Sequence, residues 1–392
     1  MGFPRFIFHN AKGVGYILNS DGSFTQGDTA SCIKKINASP PRSLNVVKSK
    51  YHLQRLQIEL NVNCNLKCLH CYSQSGPGQN KGLPFEQIKD IIDAAHGMGV
   101  LAIDLTGGEP LLRKDLFQIA KYIRSKGIFV SLFTNGTLLS QEVADKIVEA
   151  GIQFVQISLD GNSAETHDAF RQSKGAFEKS VRGLKLLKNR VKNLKVNIVV
   201  NKKNQHEIKG LTEFLSREIG VGYGLDRLIP AGRALVDREW SLSNQEFYKF
   251  VVENFGNQSA VTKVCDSPIQ MSHLAPHCGV GSFYMYIKYN GEAVICPTMT
   301  PAEGSSFSSD NVVSKGLKYV WENGSIFEKY RGVQCKNINI CPAARDCRGG
   351  CRSNAYLLHG DASSPDELHC NLSKNATGDY IAYLESYKNG IY

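Results

Sequence analysis

From residue 55 to about 230, short apolar runs alternate with longer stretches whose apolar residues recur every three or four positions. The first pattern has the length of buried strands, and the second has the period of helices that pack on one face. Residues 53–62 (LQRLQIELNV) predict a strand, and residues 84–99 predict a helix with Phe85, Ile88, Ile91, Ile92 and Ala95 on one side. Strand 101–106 and helix 114–127 follow, the helix ending at Gly127. Residues 128–136 and 140–151 repeat the theme, with Ser140 placed to cap the helix. A strand at 154–161, a helical region to Asn189, a strand at 195–201, a helix at 207–220 and a strand at 222–232 complete the series.

Six β–α steps in succession predict a parallel sheet with right-handed crossovers and its chemistry at the C-terminal strand ends. The expected class is α/β, a partial (β/α)6 TIM-like barrel over residues 51–235. Residues 1–50 differ. RFIFHN (5–10) and GVGYILNSDGSFTQGD (13–28) predict short strands with a hairpin turn at Asp21-Gly22, and 29–37 a short helix. The polar stretch Ser39 to Ser49, with its Pro-Pro pair, predicts a linker. This segment is a small β-rich cap on the barrel or a truncated peptide-recognition element. Residues 236–392 have fewer periodic segments and most of the cysteines, which predicts a small cysteine-rich α+β domain.

At 392 residues with 42% hydrophobic and 21% charged content, the chain is of globular type and supports two or three domains. No stretch approaches the roughly 20 apolar residues that span a bilayer. The N-terminus lacks an apolar signal region, and Phe6 stands where myristoylation wants Ser or Thr. The expected location is cytoplasmic, with no membrane partner. In such a chain twelve cysteines point to metal sites rather than disulfides. All but Cys32 fall in two groups, and Cys32 reads as a small buried hydrophobe. The formal charge of +10 suits an acidic electron donor, an acidic peptide or substrate carboxylates. Lys and Arg are spread along amphipathic helices without a long basic run, so nucleic acid is not expected.

The first cysteine group is CNLKCLHC, Cys64, Cys68 and Cys71 at C-x3-C-x2-C, followed by Tyr72. Four cysteines hold an ordinary cubane cluster, whereas three leave one iron open to ligate a small molecule. A Cys3His zinc knuckle with His70 is the plainer alternative. After the second strand comes Gly107-Gly108-Glu109-Pro110, where consecutive glycines allow close backbone approach and a carboxylate suits an ammonium group. Thr134-Asn135-Gly136 and Ser158-Leu159-Asp160-Gly161 end the third and fourth strands at the same rim, and His167-Asp168-x-x-Arg171 follows.

Together these motifs resemble the radical S-adenosylmethionine (SAM) superfamily. The resemblance implies that the three cysteines hold a [4Fe-4S] cluster whose open iron binds SAM, and that one electron cleaves SAM to a 5′-deoxyadenosyl radical. It also implies that the GGEP motif hydrogen-bonds the SAM amino group, that Ser158 lies near the ribose or carboxylate, and that Arg171 pairs with the carboxylate. Tyr72, Asn135 and Asp160 join the expected SAM site. Pro230-Ala231-Gly232-Arg233 resembles the rim loop of the same enzymes.

In the second group, Cys278 to Cys296 fits C-x12-G-x4-C, and YMYIKYNGEAVICP (284–297) between them reads as a hairpin turning at Asn290-Gly291. This resembles the SPASM domain, which carries two auxiliary iron–sulfur clusters. The family continues C-x2-C-x5-C-x3-C and a final cysteine; here the first gap is five residues, Cys335 to Cys341. By resemblance Cys335, Cys341, Cys347 and Cys370 hold a distal cluster, and Cys278, Cys296 and Cys351 a proximal one. Cys265 is the proximal fourth ligand or a hydrogen-atom donor; otherwise that iron stays open. The resemblance implies three [4Fe-4S] clusters, SAM, and a flavodoxin or ferredoxin-type electron donor. The leading substrate is a ribosomally made precursor peptide undergoing cross-linking, thioether formation or epimerisation. Tetrapyrrole side-chain chemistry in heme or heme d1 synthesis is the small-molecule alternative. Sulfatase maturation is a third, weakened because Tyr72-Ser73 stands where those enzymes carry Tyr-Phe.

Overall fold

Leu56 and Ile58 alternate with Gln57 and Glu59 along Arg55–Glu59, and this two-residue period gives the strand one oily face and one polar face. The computed structural model describes residues 51–236, 238–255, 281–299, 308–331, 333, 335–337 and 351–366, with the backbone of four strands nearer the N-terminus. Those four are β1 (Arg5–His9), β2 (Val14–Leu18), β3 (Phe24–Asp28) and β4 (Ser43–Val47). They form a sheet in the order β3-β2-β1-β4, antiparallel except for β1 with β4. The β2–β3 hairpin falls where Asp21-Gly22 predicted it. The expected linker is corrected, since SLNVV within it pairs with β1 across the full register. Its Leu, Val, Val content is that of a strand, which the flanking prolines obscured. The helix expected at 29–37, and Cys32, lie outside the described residues.

The six predicted barrel strands are all present: β5 (Arg55–Glu59), β6 (Ala102–Thr106), β7 (Phe129–Thr134), β8 (Phe154–Ser158), β9 (Asn193–Val200) and β10 (Gly222–Arg227). They pair in parallel and in sequence order. The crossovers carry α1 (Phe85–Gly97), α2 (Leu116–Ser125), α3 (Gln141–Glu149), α4 (Ala164–Arg171), α5 (Ala176–Leu187) and α6 (Ile208–Glu213). Helix α1 buries Ile88, Ile91, Ile92 and Ala95 as its spacing required. The Ser140 hydroxyl caps α3 by accepting the Val143 N–H at 3.2 Å. Helix α6 continues as a π-helical turn, Phe214–Ile219, that keeps Leu215 and Ile219 in the core. The oily strand faces and helix stripes form one core running from Leu53 to Ala362.

After α7 (Asn244–Phe255), the predicted hairpin appears as β11 (Tyr284–Ile287) and β12 (Glu292–Val294), with Gly291 at φ +85° in the turn. Strand β11 pairs in parallel with β5, so the hairpin extends the barrel sheet, and β13 (Ser308–Asn311) adds an antiparallel edge. Helices α8 (Val312–Lys315), α9 (Leu317–Asn323), α10 (Ser325–Arg331) and α11 (Arg352–His359) follow. Among the described residues no helix is long and apolar enough to cross a membrane.

Candidate active site

Beyond β5 the chain turns through Asn61 to Asn63 into the Cys64 loop. Cys64 and Cys68 are buried with Leu66 between them, and Cys71 is half-buried beside them. The loop is fastened from distant parts of the chain. Arg233 donates from its backbone N–H to the Cys71 carbonyl at 3.1 Å, from Nε to the Cys68 carbonyl at 2.7 Å and from Nη2 to the Ser75 carbonyl at 2.9 Å. Gly232, at φ +58°, approaches so closely that a Cβ there would lie 2.3 Å from the Tyr72 carbonyl oxygen. The Pro230–Arg233 stretch therefore clamps the cysteine loop, a role with no local sequence signal.

The glycines of the GGEP turn do approach backbone closely, but the backbone is the chain's own. A Cβ on Gly107 would lie 2.7 Å from the Asn61 carbonyl oxygen, and one on Gly108 2.4 Å from that of Asn63. The Gly108 and Glu109 N–H groups donate to the same two carbonyls at 2.7 and 2.8 Å. Glu109 is fully buried. Its carboxylate accepts from Leu111 N at 3.0 Å, Thr134 Oγ1 at 2.7 Å and Asn135 N at 2.8 Å. Burial pushes its pKa up, against the pull of these donors and of Arg171. The side chain thus ties the β6 and β7 loops together, and Pro110 opens the short 3-10 turn that it caps.

Each of the three sulfurs has a hydrogen-bond partner. The Leu66 N–H reaches Cys64 Sγ at 3.4 Å, with Asn135 Nδ2 at 3.9 Å; Ser73 Oγ lies 3.4 Å from Cys71 Sγ; and Arg171 Nη1 reaches Cys68 Sγ at 3.7 Å. Asn135 also bonds Asn65 at 3.0 Å, and Asn65 bonds Thr137 at 2.8 Å, partners that spacing did not reveal. Asp160, fully buried, faces Arg171 in an ion pair at 2.5 Å and accepts the Val199 N–H at 2.8 Å. It stands behind Arg171 as its counter-ion. His167 Nδ1 accepts the Asp160 N–H at 3.0 Å, and His70 stacks on Phe170 with centroids 4.2 Å apart. Both imidazoles are held neutral, chiefly by burial and then by Arg171. Tyr72 lies against Glu59, Tyr286 and Thr106, and burial, then the Glu59 charge, pushes its phenol up. Ser158 ends β8 half-buried, opposite Asn197.

The cysteine loop fits a cluster. Burial first, then the charges of Glu109, Cys68 and Cys71, push the Cys64 thiol up to about 12, and burial also pushes the Cys68 thiol up, so a cationic centre favours their thiolates. Among the described residues no three His, Cys, Asp or Glu side chains converge as they would on one metal ion. A cubane takes each sulfur on a different iron and so suits ligands that stand apart.

In the C-terminal region a hydroxyl chain runs from Cys296 Sγ to Thr298 Oγ1 at 3.1 Å and on to Ser353 Oγ at 2.8 Å. Ser353 lies in the first turn of α11, whose N-cap is Cys351. Cys296 and Cys351 are thereby brought to one locality. Asp366 holds the Cys351 N–H at 2.9 Å and Asn354 Nδ2 at 2.6 Å, while Arg227 from β10 reaches Asn354. Cys335 is buried, and the next residue bonds the Ser363 carbonyl at 2.9 Å. Cys265, Cys278, Cys341, Cys347 and Cys370 lie outside the described residues.

Three cysteine sulfurs thus gather at the C-terminal rim of a parallel βα sheet, where barrel enzymes keep their chemistry. The sequence model of the Radical SAM superfamily matches residues 58–215, and that of the SPASM iron–sulfur cluster-binding domain matches 278–348. The chain is 38% identical to the Fe-coproporphyrin III synthase of Methanosarcina barkeri, over 81% of this chain and 88% of that protein. It is 32% identical to the mycofactocin maturase MftC of Mycolicibacterium smegmatis, over 79% of this chain and 80% of that one. Its fold is similar to that of Streptococcus suis SuiB bound to its precursor peptide SuiA, with a TM-score of 0.70 at 15% identity over 92% and 97% of the two chains. The chain belongs to the radical SAM superfamily and carries a SPASM domain, and both imply iron–sulfur clusters and SAM.

Proposed function

We propose that this enzyme cleaves SAM at the Cys64, Cys68 and Cys71 site and modifies a ribosomally made peptide. The cluster, when bound, supplies the electron that cleaves SAM to the 5′-deoxyadenosyl radical, which takes hydrogen from an unactivated C–H bond. The three cysteines hold it, and Arg233 with Gly232 keeps their loop on the barrel. The Glu109 carboxylate already accepts three donors and is held between two loops, so on this reading the SAM ammonium is shared between it and the carbonyls of the glycine turn. The observation that carries the peptide reading is the likeness to a maturase over 79% of the chain. The N-terminal sheet supports it, since β3 and β4 are edge strands of the kind an extended peptide can join. In the SPASM region, Cys296, Cys351, Cys278 and Cys265 are assigned to a proximal cluster and Cys335, Cys341, Cys347 and Cys370 to a distal one. The total is about twelve irons per chain. An acidic flavodoxin or ferredoxin suits the +10 charge and the exposed Lys67 within the cysteine loop. A reducing cytoplasm suits twelve cysteines.

Tetrapyrrole chemistry is the second reading, favoured by the 38% identity to a porphyrin synthase. The test supplies the anaerobically reconstituted enzyme, SAM and dithionite with either a short peptide encoded beside its gene or Fe-coproporphyrin III. 5′-Deoxyadenosine release coupled to a mass change in the peptide supports the first reading; coupling to porphyrin alone rejects it. The triple variant Cys64→Ala, Cys68→Ala, Cys71→Ala should keep the auxiliary irons and release no 5′-deoxyadenosine. Release from that variant would sink the site assignment.

A further inference from the structure

Arg171 is 6% exposed and makes two charged contacts: Nη2 pairs with Asp160 Oδ2 at 2.5 Å, and Nη1 donates to Cys68 Sγ at 3.7 Å. Of the side chains that reach the three sulfurs, Asn135 and Ser73 are neutral and Arg171 carries a full charge. Asp160 is itself fixed at both ends. Its Oδ1 accepts from Val199 N at 2.8 Å, and its carbonyl accepts from Asn204 Nδ2 at 2.7 Å. The carboxylate therefore holds the guanidinium at a set place rather than letting it follow a ligand. Arg171 Nε has no hydrogen-bond partner among the described residues, so the fixed guanidinium keeps one donor for a further acceptor.

We infer that Arg171, positioned by Asp160, raises the electron affinity of the cluster held by Cys64, Cys68 and Cys71 through its hydrogen bond to Cys68 Sγ. A reduced cluster carries one more negative charge, and a cation beside a ligand sulfur favours that state. Hydrogen bonds to sulfur and local charge are among the levers that set such potentials. Burial leaves the effect little screened by water or salt. The negative end of the Asp160–Arg171 pair lies farther from the sulfur than the positive end, so the pair as a whole still favours reduction.

The inference rests on the radical SAM reading, and its test separates the two. The full-length enzyme, reconstituted anaerobically without SAM, is titrated with mediators and followed by electron paramagnetic resonance. The relevant cluster is the one whose reduced signal changes when SAM is added afterwards. Arg171→Gln leaves Asp160 buried and unpaired and risks misfolding, so the deciding variant is Arg171→Gln with Asp160→Asn, a neutral pair of the same shape. At the poise that half-reduces the parent, this double variant should show a reduced-to-oxidised ratio about tenfold lower, a shift of about 59 mV for one electron. Iron content should match the parent. Arg171→Lys, which keeps the charge, should stay within about threefold of the parent ratio. A double variant with the parent ratio overturns the inference, and so does one that loses only SAM affinity, which would make Arg171 a carboxylate clamp alone. A parent with no SAM-responsive signal overturns the family reading together with the inference.

Discussion

Gly232→Ala tests whether the cysteine loop is held by the clamp at the end of the barrel. Gly232 has φ +58°, where an alanine costs about 1–2 kcal/mol. Its Cβ would also lie 2.3 Å from the Tyr72 carbonyl oxygen and 2.5 Å from that of Cys71. Both are backbone atoms, so no side-chain rotation relieves the overlap. Overpacking of this kind typically costs about 1–3 kcal/mol, for a total of about 2–5 kcal/mol. Against it stand the three hydrogen bonds from Arg233 to the loop, each worth roughly 1–2 kcal/mol net. The strain is comparable to what holds the loop and small beside the buried core beneath the sheet, so the loop should yield and the barrel should stay folded.

The assay is iron per chain after anaerobic reconstitution, with melting of the iron-free protein as control. Gly232→Ala should lose about four irons and SAM cleavage together while its barrel melts within a few degrees of the parent. Full iron and parental 5′-deoxyadenosine release would refute the clamp. A lowered melting point with full iron would place the strain in the barrel instead.

Two further outcomes concern Glu59 and Cys265. Glu59 is 3% exposed, its Oε1 has no hydrogen-bond partner, and burial pushes its carboxyl from 4.5 up to about 7, against Tyr289 N–H and Lys288. The folded protein therefore takes up a proton between those values, and the stability it contributes is complete below pH 4.5 and lost as pH rises through 7. Glu59→Gln should flatten melting temperature against pH and be the more stable form at pH 8, by about 3 kcal/mol at most; parallel pH curves would contradict the shift. Cys265→Ala should remove or alter the signal of the proximal auxiliary cluster; an intact signal with turnover stalled after hydrogen abstraction would make Cys265 a hydrogen-atom donor instead.

Local period made the barrel legible. Strands β5 to β10 and the buried face of α1 follow from the alternation alone, and the turn at Gly291 follows from Asn-Gly. What escaped was mostly long-range. A Gly-Gly pair signals close approach but not to what, and here the neighbour is the chain's own Asn61–Asn63 backbone. Asp160 and Arg171 were both placed at the SAM site by resemblance, and that they also pair with each other depends on how α4 returns over β8, which no spacing reveals. Arg233 lies 165 residues from the carbonyl of Cys68 that it holds, and no spacing rule spans that separation. Strand β4 was missed for a local reason, because its five residues sit next to a Pro-Pro pair that reads as a linker.

The pairing of β11 with β5 is the long-range feature with the largest consequence for chemistry. Ile287 stands level with Ile58 and Tyr284 with Arg55, so the hairpin turns at the same end of the sheet as the Cys64 loop. Strand β12 runs back with Val294 opposite Tyr286, which carries Cys296, two residues on, to the level of Tyr284. Burial, and then the neighbouring Cys296, push the Tyr284 phenol up. From Arg55 to Glu59 the strand rises roughly 13 Å, and the Cys64 loop begins beyond that. On the proposed ligand assignment, the proximal auxiliary cluster and the SAM cluster therefore sit toward opposite ends of β5. The polar face of Gln57, Glu59, Tyr284 and Tyr286 lies between them. Two clusters so placed cannot share a ligand atom. A substrate held between them would meet SAM at one end and the auxiliary site at the other. Cys296 and Cys351 would hold the auxiliary cluster at that far end, where it would supply either a ligand site or an electron acceptor to the substrate.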